Sequence, residues 1–316
     1  MRTAVVVLNY GDPDDTLECV ASLERSEDLD FDLYVVDNGP DDAKHAALRD
    51  AIGERGTVLA TGENLGYAGG NNVGVRKALE TDAQYVWILN PDTRVGPRTL
   101  GTLIEHLQAY PDCGVVGSRI LYGGKEPRIW FDGATIDRTT GATSHVNNGK
   151  APAAVGGRKV VDVDYVTGAA PLIRRATLDH VGLMPEHYFL YFEETDWCVR
   201  LQDAGWRTMV NRTASMVHLK RSSGSLPQPY YIYYMTRNRY GFARDALGID
   251  PDASVAHLQE TFLKAWRKKV EDGAPAWLER FDELVTMAVE DARAGRFGRN
   301  DLVTHFPRAE ESLAGR

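Results

Sequence analysis

An α/β fold built on a mainly parallel sheet is what this sequence predicts, and three observations predict it. Through the first half, short β-branched and aromatic runs alternate with segments of helical period, the order that a sheet with crossover helices requires. The runs end in polar residues (Asn9 and Tyr10, Asp37 and Asn38, Asn90 and Asp92), at the strand ends where open α/β sheets bind ligands. Towards the C-terminus the pattern turns wholly helical, which predicts a helical extension.

The opening "TAVVVLNY" reads as a strand, and residues 14–24 follow as a helix with Leu17, Val20 and Leu23 on one face. "FDLYVVDNG" is the second strand and "DDAKHAALRDAI" the next helix. A short strand, "TVLATG", leads to the glycine-rich "ENLGYAGGNNVG", read as a loop running into the helix "VRKALETD". The buried-strand run "YVWIL" stops abruptly at "NPD", ahead of a helix through "RTLGTLIEHLQAY". From about Gly114 the rhythm changes to strand-like "GVVGSRILY" and "VVDVDYVTGAA"; the Gly-, Asn- and Thr-rich residues 138–157 between them predict a flexible, surface-exposed segment. A helix over residues 194–204 sets Trp197, Leu201 and Ala204 on one face. "KRSSGSLPQP" has the composition of a linker, so a boundary is expected near Gly224, between an α/β domain of residues 1–224 and a helical region of residues 225–316.

At 316 residues, 43% of them hydrophobic, the chain can bury a large core. Its 36 Lys and Arg against 45 Asp and Glu give a net charge of −9. That balance argues against nucleic acid as a partner, since phosphate binding needs an excess of cations. Cys19, Cys113 and Cys198 are odd in number and form no CxxC pair, which fits a reducing, cytoplasmic setting rather than a disulfide framework. No apolar run approaches the roughly 18 residues of a membrane helix, and "AVVVL" reads as a strand rather than a signal-peptide core.

The residues that could carry chemistry each admit a plain reading as well. The glycine segment contains neither a Walker loop nor, after the first strand, a GxGxxG turn, so it offers close backbone approach and an anion-favouring helix start, or simply a turn. Asp92 is a hard oxygen ligand at a strand tip, suited to a divalent cation that also holds phosphate oxygens, or an acid in a Pro-initiated turn. In "YFEETDWCVRL" the acids suit a helix N-terminus, and Asp196 with Arg200 is an ordinary i,i+4 pair. The aromatic "HYFLYF" before them would desolvate Glu193 or Glu194 and raise its pKa towards that of a useful base. His218 is either a packed or capping residue or an imidazole completing a metal site begun by Asp92, from which it is distant in sequence.

Taken in order, "VVVLNY", "VVDNG", "ENLGYAGGNNVG", "WILNPDT", "VTGAAPLIRR", "YFEETDWCVRL" and "MVHLKRSSG" resemble the family 2 glycosyltransferases with the GT-A fold, a Rossmann-like, mainly parallel sheet flanked by helices. The nearest look is to rhamnosyltransferase-like members that build polysaccharides and glycolipids, and the likeness spans roughly residues 1–245. It implies that residues 1–224 bind a nucleotide sugar and carry catalysis, with Asn9, Tyr10, Asp37 and Asn38 at base and ribose and Asn64, Gly66, Gly69 and Asn71 along the donor. Asn90, Pro91 and Asp92 stand where the family has its DxD element, with Asp92 on Mg²⁺ or Mn²⁺ and His218 as a second protein ligand. Thr167, Gly168 and Ala169 match the loop under the donor sugar, and Arg237 and Asn238 match a recurring later segment. Glu194 occupies the place of the family's general base, with Glu193 as the alternative.

The implied reaction is a metal-assisted single displacement with inversion, from a UDP- or dTDP-sugar (dTDP-rhamnose among them) to a hydroxyl of a glycan or lipid-linked glycan. A sugar-phosphate nucleotidyltransferase would need a basic loop where "LNYGDPDD" is acidic. Asn90 for the first Asp of DxD and Glu194 for Asp keep open a non-catalytic homologue that binds a nucleotide sugar or a partner enzyme. "LKAWRKK" with Arg293, Arg296 and Arg299 either meets anionic lipid at the inner face of the membrane, or is the solvated face of helices packed on the core or on a second subunit of a homo-oligomer.

Overall fold

In the computed structural model, which describes residues 2–27, 30–219 and 226–309, the chain lays down twelve strands: β1 (Thr3–Asn9), β2 (Phe31–Asp37), β3 (Thr57–Ala60), β4 (Tyr85–Leu89), β5 (Thr93–Val95), β6 (Cys113–Tyr122), β7 (Ile129–Phe131), β8 (Ala134–Ile136), β9 (Thr143–His145), β10 (Val160–Asp162), β11 (Leu172–Arg174) and β12 (Arg207–His218). Its helices are α1 (Asp14–Leu23), α2 (Asp42–Ile52), α3 (Gly66–Leu79), α4 (Thr99–Ala109), α5 (Arg175–Val181), α6 (Glu193–Asp203), α7 (Pro229–Asp245), α8 (Pro251–Leu258), α9 (Lys264–Gly273), α10 (Leu278–Arg293) and α11 (Asp301–Thr304).

β3, β2, β1 and β4 lie side by side and parallel, as the alternating pattern predicts. β1 and β4 are buried on both faces, which is why they read as unbroken apolar runs. Beyond β4 the sheet becomes mixed: β11 pairs antiparallel with both β4 and β6, and β12 runs parallel to β6. Between Asn211 and Ser215 the pairing of β12 with β6 skips three residues, an irregularity of the bulge kind that bends a strand. The far half of β12 then reaches β5 as well, and places His218 opposite Thr93.

Two expectations are corrected and a third is refined. The glycine-rich stretch is not a loop: α3 starts at Gly66, and its Gly70 and Gly74 face β1 and β2, where a Cβ on Gly74 would stand 2.4 Å from Val6 and one on Gly70 2.5 Å from Leu8. Residues 138–157, expected to be a flexible, surface-exposed segment, lie largely at the surface but carry β9, which pairs with β8, and Arg239 from α7 and Ser254 from α8 both hold the Thr140 carbonyl. On α6, Trp197 and Leu201 are buried but Ala204 is exposed at the C-cap. The expected boundary at Gly224 lies outside the described residues. The helices after it pack around a second apolar cluster of Tyr233, Trp277, Phe281 and Leu284.

Candidate active site

A cleft of about 590 Å³ opens where β4 ends. Asn90, Asp92 and His218 line it together with Thr167, Gly168, Ala169, Glu193 and Glu194, so eight of the residues singled out in the sequence meet in one cavity.

The "NPD" tip is the turn from β4 into β5. Thr93 caps it with its hydroxyl on the Asn90 carbonyl at 2.7 Å, Asn90 N–H donates to the Ala169 carbonyl, and Leu219 N–H donates to the Asp92 carbonyl at 2.7 Å. With its backbone pinned on both sides, Asp92 projects its carboxylate into the cleft. The bend in β12 brings His218 Nε2 to 2.9 Å from Asp92 Oδ1. His218 is only 5% exposed, and neither ring nitrogen makes a hydrogen bond among the described residues. A buried imidazole without a hydrogen bond, beside a carboxylate oxygen, is a donor set that fits a divalent cation. No group of three or more His, Cys, Asp or Glu suited to a metal ion occurs among the described residues.

The opposite wall is the start of α6. Phe189, Tyr191 and Phe192 all have positive φ (66°, 71° and 76°), a conformation that costs non-glycine residues energy and needs support. The support comes from α7. Asn238 Nδ2 donates to the carbonyls of Tyr188, Leu190 and Tyr191 at 3.0, 2.7 and 2.9 Å. Arg237 donates to the Tyr188 carbonyl at 2.8 Å and the Gly298 carbonyl at 2.6 Å, its cation lying over the rings of Tyr233, Tyr234 and Phe297. These two residues grip the turn that aims the glutamates.

The two carboxyls sit in different surroundings. Glu193 is 2% exposed with its Oε2 unpartnered, and burial, then the neighbouring Glu194, push its pKa well above the ordinary range. Glu194 is half-buried, and its Oε1 accepts the Gly168 N–H at 3.3 Å; burial raises its pKa too, with that amide and others opposing the shift. Asp196 is fully occupied by the Tyr188 hydroxyl and Arg200 Nε, both at 2.8 Å, which bears out the plain reading of that acid.

The remaining residues gather at the ends of β1, β2 and β3. Asn9 Nδ2 donates to Asp37 Oδ1 at 3.1 Å, and Asn38 binds Gly66 O, Asn64 Oδ1 and Leu65 N–H. These side chains are tied to one another, while Tyr10 beside them is 62% exposed. Gly69 and Asn71 do not face the cleft: a Cβ on Gly69 would lie 2.8 Å from that of Leu65, and buried Asn71 donates to the Tyr67 carbonyl. Pro91 shapes the turn without lining the cavity.

Sequence reasoning missed Tyr67, Trp130, His145, Tyr165, Tyr231 and Phe262, all of which line the cleft. Tyr67 alone carried a local signal, as the aromatic inside the glycine stretch, and its hydroxyl binds the Gly168 carbonyl.

A mixed sheet that opens at the tips of its parallel strands onto such a cleft has the architecture of the GT-A fold. The fold is shared with a mannosyltransferase from Pyrobaculum calidifontis solved with GDP-Man and Mn²⁺, at a TM-score of 0.53 and 13% identity over 92% of this chain and 86% of that one. The family model described as glycosyl transferase family 2 matches residues 4–177, and the chain belongs to that family. Among curated relatives it is 25% identical over 266 residues to the N-acetylglucosaminyl-diphospho-decaprenol L-rhamnosyltransferase of Mycobacterium tuberculosis, covering 76% of this chain and 83% of the relative. It is 22% identical over 284 residues to the low-salt glycan biosynthesis hexosyltransferase Agl10 of Haloferax volcanii, covering 86% and 88%.

Proposed function

We propose that this enzyme transfers a hexosyl or deoxyhexosyl unit from a UDP- or dTDP-sugar, dTDP-rhamnose among the candidates, to a hydroxyl of a glycan or lipid-linked glycan, with inversion and with help from Mn²⁺ or Mg²⁺. The observation that carries this reading is the 2.9 Å approach of His218 to Asp92 in the same cleft as Glu193 and Glu194. The two relatives, a rhamnosyltransferase of a lipid-linked sugar and a hexosyltransferase of glycan biosynthesis, support the class of donor and acceptor.

Asp92 and His218 would hold the cation, whose chemistry is to neutralise charge that develops on the leaving diphosphate. No lysine or arginine lines the cleft among the described residues. Glu194, more open than Glu193, takes the acceptor proton as its oxygen attacks the anomeric carbon. Glu193, buried beside it, is the less accessible of the two to an acceptor. With one base and no protein nucleophile the displacement is single, which inverts the anomeric centre. Asn9, Asp37, Asn38 and Asn64 receive the nucleoside, with Tyr10 free to stack on a base.

The test is release of nucleoside diphosphate from UDP-, dTDP- and GDP-sugars in Mn²⁺ or EDTA. Metal-dependent release from one donor, lost in Asp92→Ala, is expected. Silence with every donor, together with no calorimetric binding of UDP or dTDP, would overturn the reading.

A further inference from the structure

Resting on the glycosyl-transfer reading, we propose that an aromatic track running from the glutamates to the surface of the C-terminal helices is a subsite that stacks the sugar rings of a saccharide acceptor. The track starts at Tyr191, two residues before Glu193. Tyr231 of α7 meets Tyr191 edge-on at 5.3 Å, Phe262 meets Tyr231 at 5.5 Å, and Trp266 lies 5.8 Å beyond Tyr231. All four rings are half-buried, and the first three line the cleft together with Met235.

Phe262 reaches this position through a local irregularity. Residues 251–273 would be one helix but for the π-helical turn Gln259–Leu263, which adds a residue to the turn and rotates the helix beyond it. A regular helix would carry its aromatic residues on a different bearing, and π turns are frequent at functional sites. The strained φ of Tyr191 and the π turn under Phe262 are two independent departures from regular backbone that aim rings at one place.

The chemistry of the track selects its occupant. Aromatic faces carry negative charge density, so they attract the weakly positive C–H face of a pyranose, while the hydroxyls of Tyr191 and Tyr231 can serve its oxygens. An acyl or isoprenoid chain would be matched by an aliphatic groove, and here, among the described residues, the aliphatic lining is Ala169, Leu190 and Met235. The cations nearby are engaged elsewhere: Arg267 with Asp282, Lys264 with Glu260, and Lys269 over the outer face of Trp266. A neutral ring therefore fits better than an anion. Position makes the same choice: the cation pair marks the donor side of the cleft, and the acceptor hydroxyl must reach Glu194, so the ring bearing it lies against the wall that begins at Tyr191.

The experiment is saturation-transfer NMR from the protein to methyl and octyl glycosides of glucose, galactose, rhamnose and N-acetylglucosamine, which requires no turnover. Transfer to ring C–H protons is expected for at least one methyl glycoside. It should weaken about three- to tenfold in affinity in Tyr231→Ala and Phe262→Ala and persist in Phe262→Trp. Calorimetric binding of the nucleoside diphosphate with Mn²⁺ should stay unchanged in all three and so certify the fold. Undiminished transfer in the alanine variants, no transfer to any methyl glycoside, or transfer confined to the octyl chain would overturn the proposal. Failure of donor turnover in the nucleoside diphosphate release assay would overturn the transferase reading instead.

Discussion

Glu193 and Glu194 are neighbours in the chain and both line the cleft, yet the turn before them leaves Glu193 almost fully buried and Glu194 half-buried. If Glu194 is the base, the rate should rise with pH through a midpoint above the ordinary carboxylate range, because burial raises its pKa and only the ionised form accepts a proton. Glu194→Gln should cost about 10²–10⁴ in kcat and abolish that limb; Glu193→Gln should leave the limb in place, and a pH profile of both variants separates the roles. Glu193 makes a stability prediction of its own. Its folded pKa lies above its unfolded one, so the favourable contribution is present below the unfolded pKa and is lost as pH rises through the folded value. Glu193→Gln does not titrate, so its Tm should match that of the parent in acid and exceed it by roughly 2 °C or more at pH 8, as read by thermal scans across pH. The different settings of the two acids were not legible in "YFEETDWCVRL", because they depend on a turn with three positive-φ residues that Asn238 of α7 and Tyr67 N–H of α3 hold in place. The pairing of Asp92 with His218 was equally out of reach of spacing alone, since it hangs on three residues of β12 left unpaired against β6.

Among the elements, those whose signal is local were legible: β1, β2 and β4 as apolar runs, and α1, α2 and α4 as periodic helices. Others are made by partners distant in sequence, and these were misread. The glycine stretch looks like a loop because glycine disfavours helices, but α3 needs small residues to lie close against β1, β2 and the turn before α6. Gly66 shows the constraint most sharply. It has φ +77°, a Cβ there would come within 2.2 Å of the Phe189 carbonyl oxygen, and the next amide, Tyr67 N–H, donates to that same oxygen at 2.7 Å. Gly66→Ala should therefore cost roughly 2 kcal/mol or more in chemical denaturation and also disturb catalysis, because the atom it strikes belongs to the turn that aims Glu193. Asn238→Ala attacks the same turn from α7. Removing the donor to three carbonyls should cost roughly 2–4 kcal/mol and lower kcat, while binding of the nucleoside diphosphate, at the ends of β1 and β2, stays unchanged by calorimetry.

At the scale of the whole molecule, the sequence suggests an α/β domain followed by a helical appendage, and the contacts argue for one cooperative unit. α7 belongs to both apolar clusters: Phe242 packs on Phe192 with 5.2 Å between ring centroids, inside the sheet's cluster, while Ile232, Tyr233 and Tyr234 belong to that of the helices. Polar ties repeat the connection. Gly298 donates to the His187 carbonyl at 2.6 Å and accepts from Arg237, and Arg239 joins Thr140 of the hairpin to Ser254 of α8. The strained turn that presents the glutamates is thus held from the C-terminal side, so the helices cannot unfold without releasing it. Calorimetry should record a single endotherm whose van't Hoff and calorimetric enthalpies agree, and transfer activity should vanish along the same curve. Two resolved transitions, with activity following only the first, would mean that the helical region is a separate domain and that the turn keeps its shape without it. The same coupling gives Arg296 a part remote from the cleft. Its guanidinium holds Asp291, which accepts the Tyr233 hydroxyl and Asn300 Nδ2 beneath the ring that carries Arg237. Arg296→Ala should lower the single Tm rather than split the transition.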